Sequence, residues 1–309
     1  MISYYKNGIK GLEDCEFFEP DCWINVETPT AADKSYLINE LQIPESFYDD
    51  IEDIDERPRI EFEDCWYLVI LRIPVKTDQA NLPFYTVPLG IIFKGNIFVS
   101  ICFHATDLIP DFIRHMRRKA IDKKSNFDIV LRLLLSSSVW YHKYLKMINK
   151  EIKLAETKLE KSIRNEDLQT LMQIEKCLVY FTTSLKGNDI LVQRVRNIRE
   201  FKNTHDQELV EDVEIELRQA QDTTKIYSDI LSGMMDAYAS VISNNLNIIM
   251  KLLTSISIIL MIPTLIASFY GMNVPNLFQE NHYGFWIVML ISFSISALCV
   301  FVFRRMKLF

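Results

Sequence analysis

Asn244 to Asn276 reads NNLNIIMKLLTSISIILMIPTLIASFYGMNVPN, and from Leu252 to Tyr270 it contains no charged residue. Those nineteen residues give about 28 Å of helix, close to the roughly 30 Å hydrocarbon core of a bilayer. Gly271-Met272-Asn273 follows at once, then a short polar loop, then a second apolar run from Phe285 to Phe303. Two membrane helices at the C-terminal end are therefore expected. Arg304, Arg305 and Lys307 follow the second, Lys251 precedes the first, and 274–284 holds no lysine or arginine. The positive-inside rule then places both termini in the cytoplasm and the loop outside, a multi-pass arrangement in a cytoplasmic (inner) membrane. Tyr283 and Trp286 sit where interfacial aromatic anchors belong.

Upstream of the first span the pattern stays helical. Between Asp206 and Tyr270 the sole glycine is Gly233 and the sole proline Pro263. Sixty-five residues without a capping break predict a rod of roughly 100 Å, acidic at its start and apolar at its end. Within the span, Asn247, Met250, Thr254, Ser257, Met261, Thr264, Ser268 and Gly271 recur at alternating steps of three and four. Such a seam of polar, small and thioether side chains can line a pore between copies of the chain. It can equally be a packing stripe, since Ser, Thr and Gly are common where membrane helices touch.

Residues 1–120 read as a mixed α/β domain, with a strand over Asp21–Glu27 and a helix starting near Thr30. A buried strand covers Cys65–Ile73, and a hairpin turns at Lys94-Gly95-Asn96. Glu45 to Glu56, ESFYDDIEDIDE, has seven carboxylates in twelve residues and reads as a solvated helix face. Residues 121–204 read as a helical hairpin. One helix runs from Phe127 to Ile163 with apolar Ile129, Leu133, Val139, Tyr144, Ile148, Ile152 and Leu159, and a second from Asp167 to about Phe201. The remaining units are a stalk helix over 205–251, spans over 252–270 and 285–303, a loop over 271–284 and a basic tail over 304–309.

The net charge of −7 argues against nucleic acid as a partner, which needs a basic face. No protein partner other than further copies of the chain is implied. The six cysteines have neither C-x-x-C nor metal-ligand spacing and read as reduced, mostly buried thiols. Walker, G-x-S-x-G, H-E-x-x-H and G-x-G-x-x-G patterns are lacking, so an enzyme is not expected.

Tyr270-Gly271-Met272-Asn273 at the outer end of the first of two C-terminal spans, the segment 235–254, and Arg57-Pro58-Arg59 beside a strand together resemble the CorA family of divalent-cation channels. The resemblance implies a homopentameric funnel: an α/β cytoplasmic domain, a long helical stalk and two transmembrane helices. It implies a selectivity filter at Gly271, Met272 and Asn273, and pore positions at Asn247, Met250, Leu253, Met261 and Thr264. Leu253 rather than Thr254 then falls at the hydrophobic constriction. A regulatory magnesium site between subunits is implied at Asp50 and Asp212. Mg2+ is the implied cargo and regulator, with Co2+ or Ni2+ as further cargo. The post-motif loop VPNLFQENHYG has Glu280 as its one acid, a departure that weakens its cation-attracting role, and His282 reads as a loop residue. The competing readings are a zinc or cobalt carrier resembling the ZntB branch of the same superfamily, and a membrane-tethered oligomeric scaffold.

Overall fold

The computed structural model describes residues 1–8, 11–77, 83–119, 125–161, 165–198, 207–272 and 282–306. They form two compact units, Met1–Ser232 and Gly233–Phe309.

The first unit is built on a seven-stranded sheet of β1 (Ile2–Gly8), β2 (Gly11–Cys15), β3 (Trp23–Glu27), β4 (Arg59–Glu63), β5 (Trp66–Lys76), β6 (Phe84–Lys94) and β7 (Ile97–Cys102), in the order β2-β1-β3-β7-β6-β5-β4. β3 and β7 run parallel, and the other neighbours are antiparallel. A parallel pair needs a long crossover, and α1 (Ala31–Ser35), a π-helical turn over Tyr36–Glu40, α2 (Glu45–Glu52) and strands β4–β6 all lie within it. Thr30 starts α1 as its cap: its hydroxyl accepts from the Asp33 N–H while the Asp33 carboxylate takes the Thr30 N–H, which satisfies two of the donors that a helix start leaves open.

β5 and β6 are buried along nearly their whole length, as continuous apolar runs require when both faces of a sheet are covered. On one face Phe47, Tyr48 and Ile51 of α2 join Ile24, Val26, Leu68, Ile70, Ile92, Val99 and Ile101. Gly90 permits the close approach of α2, because a Cβ there would sit 2.1 Å from Ile51 Cδ1. On the other face Trp23 packs on Phe112 of α3 (Leu108–Arg118) and Phe93 on Phe127 of α4 (Asn126–Lys161).

α4 and α5 (Asn165–Arg196) form a helical hairpin, with Tyr141 and Phe181 edge to face at 5.0 Å. The second helix begins two residues before the expected Asp167 and ends at Arg196; Ile163 and Phe201 lie outside the described residues. Val139 departs from the expected core stripe and is 51% exposed, because the apolar face of α4 against the sheet passes instead through Leu134, Tyr141 and Leu145, all buried.

α6 runs unbroken from Gln207 to Tyr270 and α7 from Gly284 to Arg305. In the first unit α6 buries Val210, Val213, Leu217, Ala220, Thr224 and Leu231, spaced as one helix stripe requires. It meets the hairpin through Gln221 Nε2, which donates to the Leu185 carbonyl at 3.2 Å, and through an Arg196–Glu214 ion pair at 3.2 Å.

Three structural features were not read from the sequence. β1 and β2 form an outer hairpin whose residues alternate poorly. β4 joins β5 through Asp64 and Cys65, both at positive φ (49° and 67°), a two-residue turn without the usual glycine. Cys65 is consequently exposed, whereas Cys22, Cys102 and Cys177 are buried.

Candidate functional site

In the second unit α6 and α7 are apolar over lengths that suffice to cross a bilayer, with mean hydropathies of 2.2 and 2.5, and only 6% of each apolar window is buried. A core helix of a water-soluble protein would be mostly covered. Ser255 of α6 and Ser292 and Ser296 of α7 are buried. A groove of about 370 Å³ is lined jointly by Pro263, Ile266 and Ala267 of α6 and Val288, Met289 and Ser292 of α7. Small side chains at such a contact let backbones approach where no hydrophobic drive exists between helices in lipid.

That contact leaves another face open. At 100° per residue Ser255, Ile259, Ile262 and Ile266 share one side of α6, and the seam of Asn247, Met250, Thr254, Ser257, Met261 and Ser268 is centred roughly 130° away. All the seam residues are exposed, with Met250 at 56% and Met261 at 64%, and so is Leu253 at 65%. Thr264 is exposed at the rim of the groove shared with α7. The Ser257 hydroxyl donates to the Leu253 carbonyl at 2.9 Å and the Thr264 hydroxyl to the Leu260 carbonyl at 3.0 Å. Their protons are thus committed to the helix, and only oxygen lone pairs face outward. Gly271 and Met272 close the helix, with the Gly271 N–H donating to the Ala267 carbonyl at 2.9 Å, and both are exposed. Asn273, Glu280 and Lys307 lie outside the described residues.

The two carboxylates expected to sense magnesium belong to the first unit. Asp212 lies on α6, exposed beside buried Val213. Asp50 lies on α2, where amphipathic spacing turns Phe47, Tyr48 and Ile51 inward and the acids outward. It is not free: Arg59 Nη2 donates to Asp50 Oδ2 at 2.6 Å, and the same guanidinium binds Glu56 and, through Nε, Glu61 at 2.8 Å. Burial alone would lower the Arg59 pKa, but Glu56, Asp50 and Glu61 outweigh it and hold the pKa above the ordinary arginine value. Among the described residues no three His, Cys, Asp or Glu side chains converge as a metal site within one chain.

The segment carrying these acids is anchored by a residue that sequence reading passed over. Arg72, the only charged side chain in the run Cys65–Ile73, is 9% exposed. Its guanidinium donates to the carbonyls of Ile54 (2.8 Å), Glu56 (2.9 Å) and Thr86 (2.6 Å) and to the Thr86 hydroxyl at 3.2 Å. Pairing with α5 comes through Asn188, fully buried. The Asn188 Oδ1 accepts from the Arg72 N–H at 2.9 Å, and its Nδ2 donates to the Arg72 carbonyl at 2.8 Å. β4 reaches only as far as the Arg59–Ile70 pair, so the Asn188 amide completes the ladder where the strand stops. A lone arginine inside an apolar run was the available signal.

A family model described as CorA-like Mg2+ transporter protein matches residues 21–305. The chain belongs to the CorA family. The cobalt/magnesium transport protein CorA of Methanocaldococcus jannaschii is 28% identical to it over 288 residues, 92% of this chain and 90% of that one. The CorA of Thermotoga maritima is 26% identical over 302 residues, 92% and 82% of the two chains. The complete structure of the M. jannaschii CorA magnesium transporter superposes with a TM-score of 0.84 at 25% identity, covering 99% of this chain and 98% of that one. The expected architecture of an α/β domain, a long helix and two C-terminal apolar helices is thus that of a full-length CorA, a membrane transporter and not an enzyme.

Proposed function

We propose that copies of this chain assemble as a homopentameric channel that admits Mg2+, and also Co2+, through the cytoplasmic membrane, closed by Mg2+ bound on the cytosolic side. The observation that carries the reading is the uncovered seam of α6 on the side away from α7. Two spans cannot enclose a path, so the seams of several copies would face a common axis, with α7 forming the outer, lipid-facing ring.

The chemistry of that seam suits a hydrated cation. The apolar stretches from Leu252 to Tyr270 and from Phe285 to Phe303 carry no acid, so nothing there strips water from the ion by charge. Magnesium sheds water reluctantly and keeps several waters when bound. The Ser257 and Thr264 oxygens, with their free lone pairs, and the amides of Asn247 and Asn273 would accept from those waters and hold the ion weakly enough for it to leave. Rings of Met250 and Leu253 would close the path by dewetting. Inward drive comes from the membrane potential, roughly 2.3 kcal/mol per charge per 100 mV and twice that for a divalent ion.

For closure, Mg2+ would bridge Asp50 of one subunit to Asp212 of its neighbour and offset the repulsion between acidic faces. When cytosolic Mg2+ falls, that repulsion loosens the ring and the constriction wets. The reading is tested by Asn273→Ala in purified protein. A channel keeps its assembly and loses at least tenfold of its Mg2+ flux, whereas flux equal to wild type would remove the filter from the account.

A further inference from the structure

The first unit contains a cavity of about 760 Å³ between residues 55–58 and the outward face of α5. The transport reading makes no use of it. Its size is that of small-molecule sites, which run from roughly 300 to 1,000 Å³. One wall is apolar and carries an aromatic ring: Val179, Tyr180, Ile190 and Pro58. The rim is cationic. Arg57, Lys186 and Arg194 line it, all three are exposed, and none has an ion-pair partner among the described residues. At the floor lies Arg72, whose guanidinium is bonded to neutral oxygens only, with the Thr86 and Ser184 hydroxyls 2.8 Å apart beside it. Two carboxylates, Asp55 and Glu56, also border the cavity, and Glu56 is taken by Arg59. Four cations therefore face one uncommitted acid, in a chain whose net charge is −7. Gly187 lets the wall close: a Cβ there would stand 2.7 Å from Pro58 Cγ, so a larger residue would push the loop off the helix.

We propose that this cavity binds a nucleoside polyphosphate. Arg57, Lys186 and Arg194 receive the phosphates, the two arginines through paired N–H donors that match phosphate geometry. The base lies against Tyr180 and the aliphatic wall, where a flat ring removes apolar surface from water. A bare phosphate would leave that wall wet, and a bare nucleoside would leave the cations unpaired. Both halves of the site therefore act on one molecule.

The test is calorimetric titration of the full-length protein in detergent and EDTA with ADP, adenosine and pyrophosphate. It reads binding and not ion flux, so it succeeds or fails independently of the transport reading. ADP is expected to bind once per chain, at least tenfold more tightly than adenosine or pyrophosphate. Lys186→Glu and Arg194→Glu, both on the exposed face of α5, are each expected to weaken ADP at least tenfold without altering the melting temperature. Absence of heat with ADP, or an affinity that both substitutions leave unchanged, overturns the proposal.

Discussion

Arg59 Nη2 stands 2.6 Å from Asp50 Oδ2, so the carboxylate expected to take a regulatory cation is already partnered by a cation of its own chain. Arg59 also binds Glu56 and Glu61, and this one guanidinium therefore sets how much negative charge the α2 face presents. In the proposed sensor this arrangement would weaken the site, because a magnesium ion approaching Asp50 would meet both an attracting acid and a repelling base.

Replacing Arg59 by Gln removes that positive charge and retains hydrogen-bonding capacity. Even at the dielectric of bulk water, one charge about 4 Å away is worth about 1 kcal/mol. Closure is therefore expected at an internal Mg2+ concentration at least about fivefold lower than in wild type. Flux measured against internal Mg2+ checks this, and an unchanged or raised midpoint would separate Asp50 from the sensor.

The same loop depends on Arg72 and Asn188. Asn188→Ala leaves the buried Arg72 N–H without a partner, while the Arg72 carbonyl keeps its bond from the Tyr141 hydroxyl at 3.1 Å. One unsatisfied buried N–H costs about 1–3 kcal/mol. A fall of several degrees in melting temperature is expected, larger than for Asn197→Ala at the exposed end of the hairpin. Thermal scans of both variants in detergent decide it.

Glu27 supplies a pH dependence. Burial raises its carboxyl pKa, opposed by a hydrogen bond from the Thr106 backbone and by the N-terminal amine, and its Oε1 has no partner among the described residues. A folded pKa above the unfolded one means that the unfolded state binds fewer protons between the two values. This group's contribution to stability is present below the unfolded pKa and is lost as pH rises through the folded one. Glu27→Gln is therefore expected to melt higher than wild type at pH 7 and to lose that advantage near pH 4. Paired melting curves at the two pH values measure it, and an advantage that grows toward acid would contradict the burial argument.

Much of this architecture is legible in the residues themselves. Unbroken apolar runs announce α6, α7 and the inner strands β5 and β6, because lipid and two-sided burial both demand continuous hydrophobicity. Thr30 and Gly95 announce a helix start and a turn through local backbone chemistry. The reading fails where tertiary context outweighs local pattern. β1 and β2 are outer strands whose partners, not their own sequence, hold them. Val139 is apolar, yet at 100° per residue it lies on the opposite side of α4 from Ile129, Leu133, Tyr144 and Ile148, which are buried as expected. Asn188 looks like an ordinary polar position on α5 until the strand end that it completes is in view. Asp50 reads as a free acid, since its pairing with Arg59 requires α2 and β4 to be brought side by side.

Under the proposed function, the seam of α6 conducts divalent cations down the membrane potential. The most direct measurement is Mg2+ entry into liposomes carrying the purified chain, with an inside-negative potassium diffusion potential and no nucleotide. Entry is expected to steepen with the potential, to extend to Co2+, and to stop when internal Mg2+ is raised to millimolar levels. Assembled protein in sealed vesicles that passes neither ion at any internal Mg2+ concentration would contradict it.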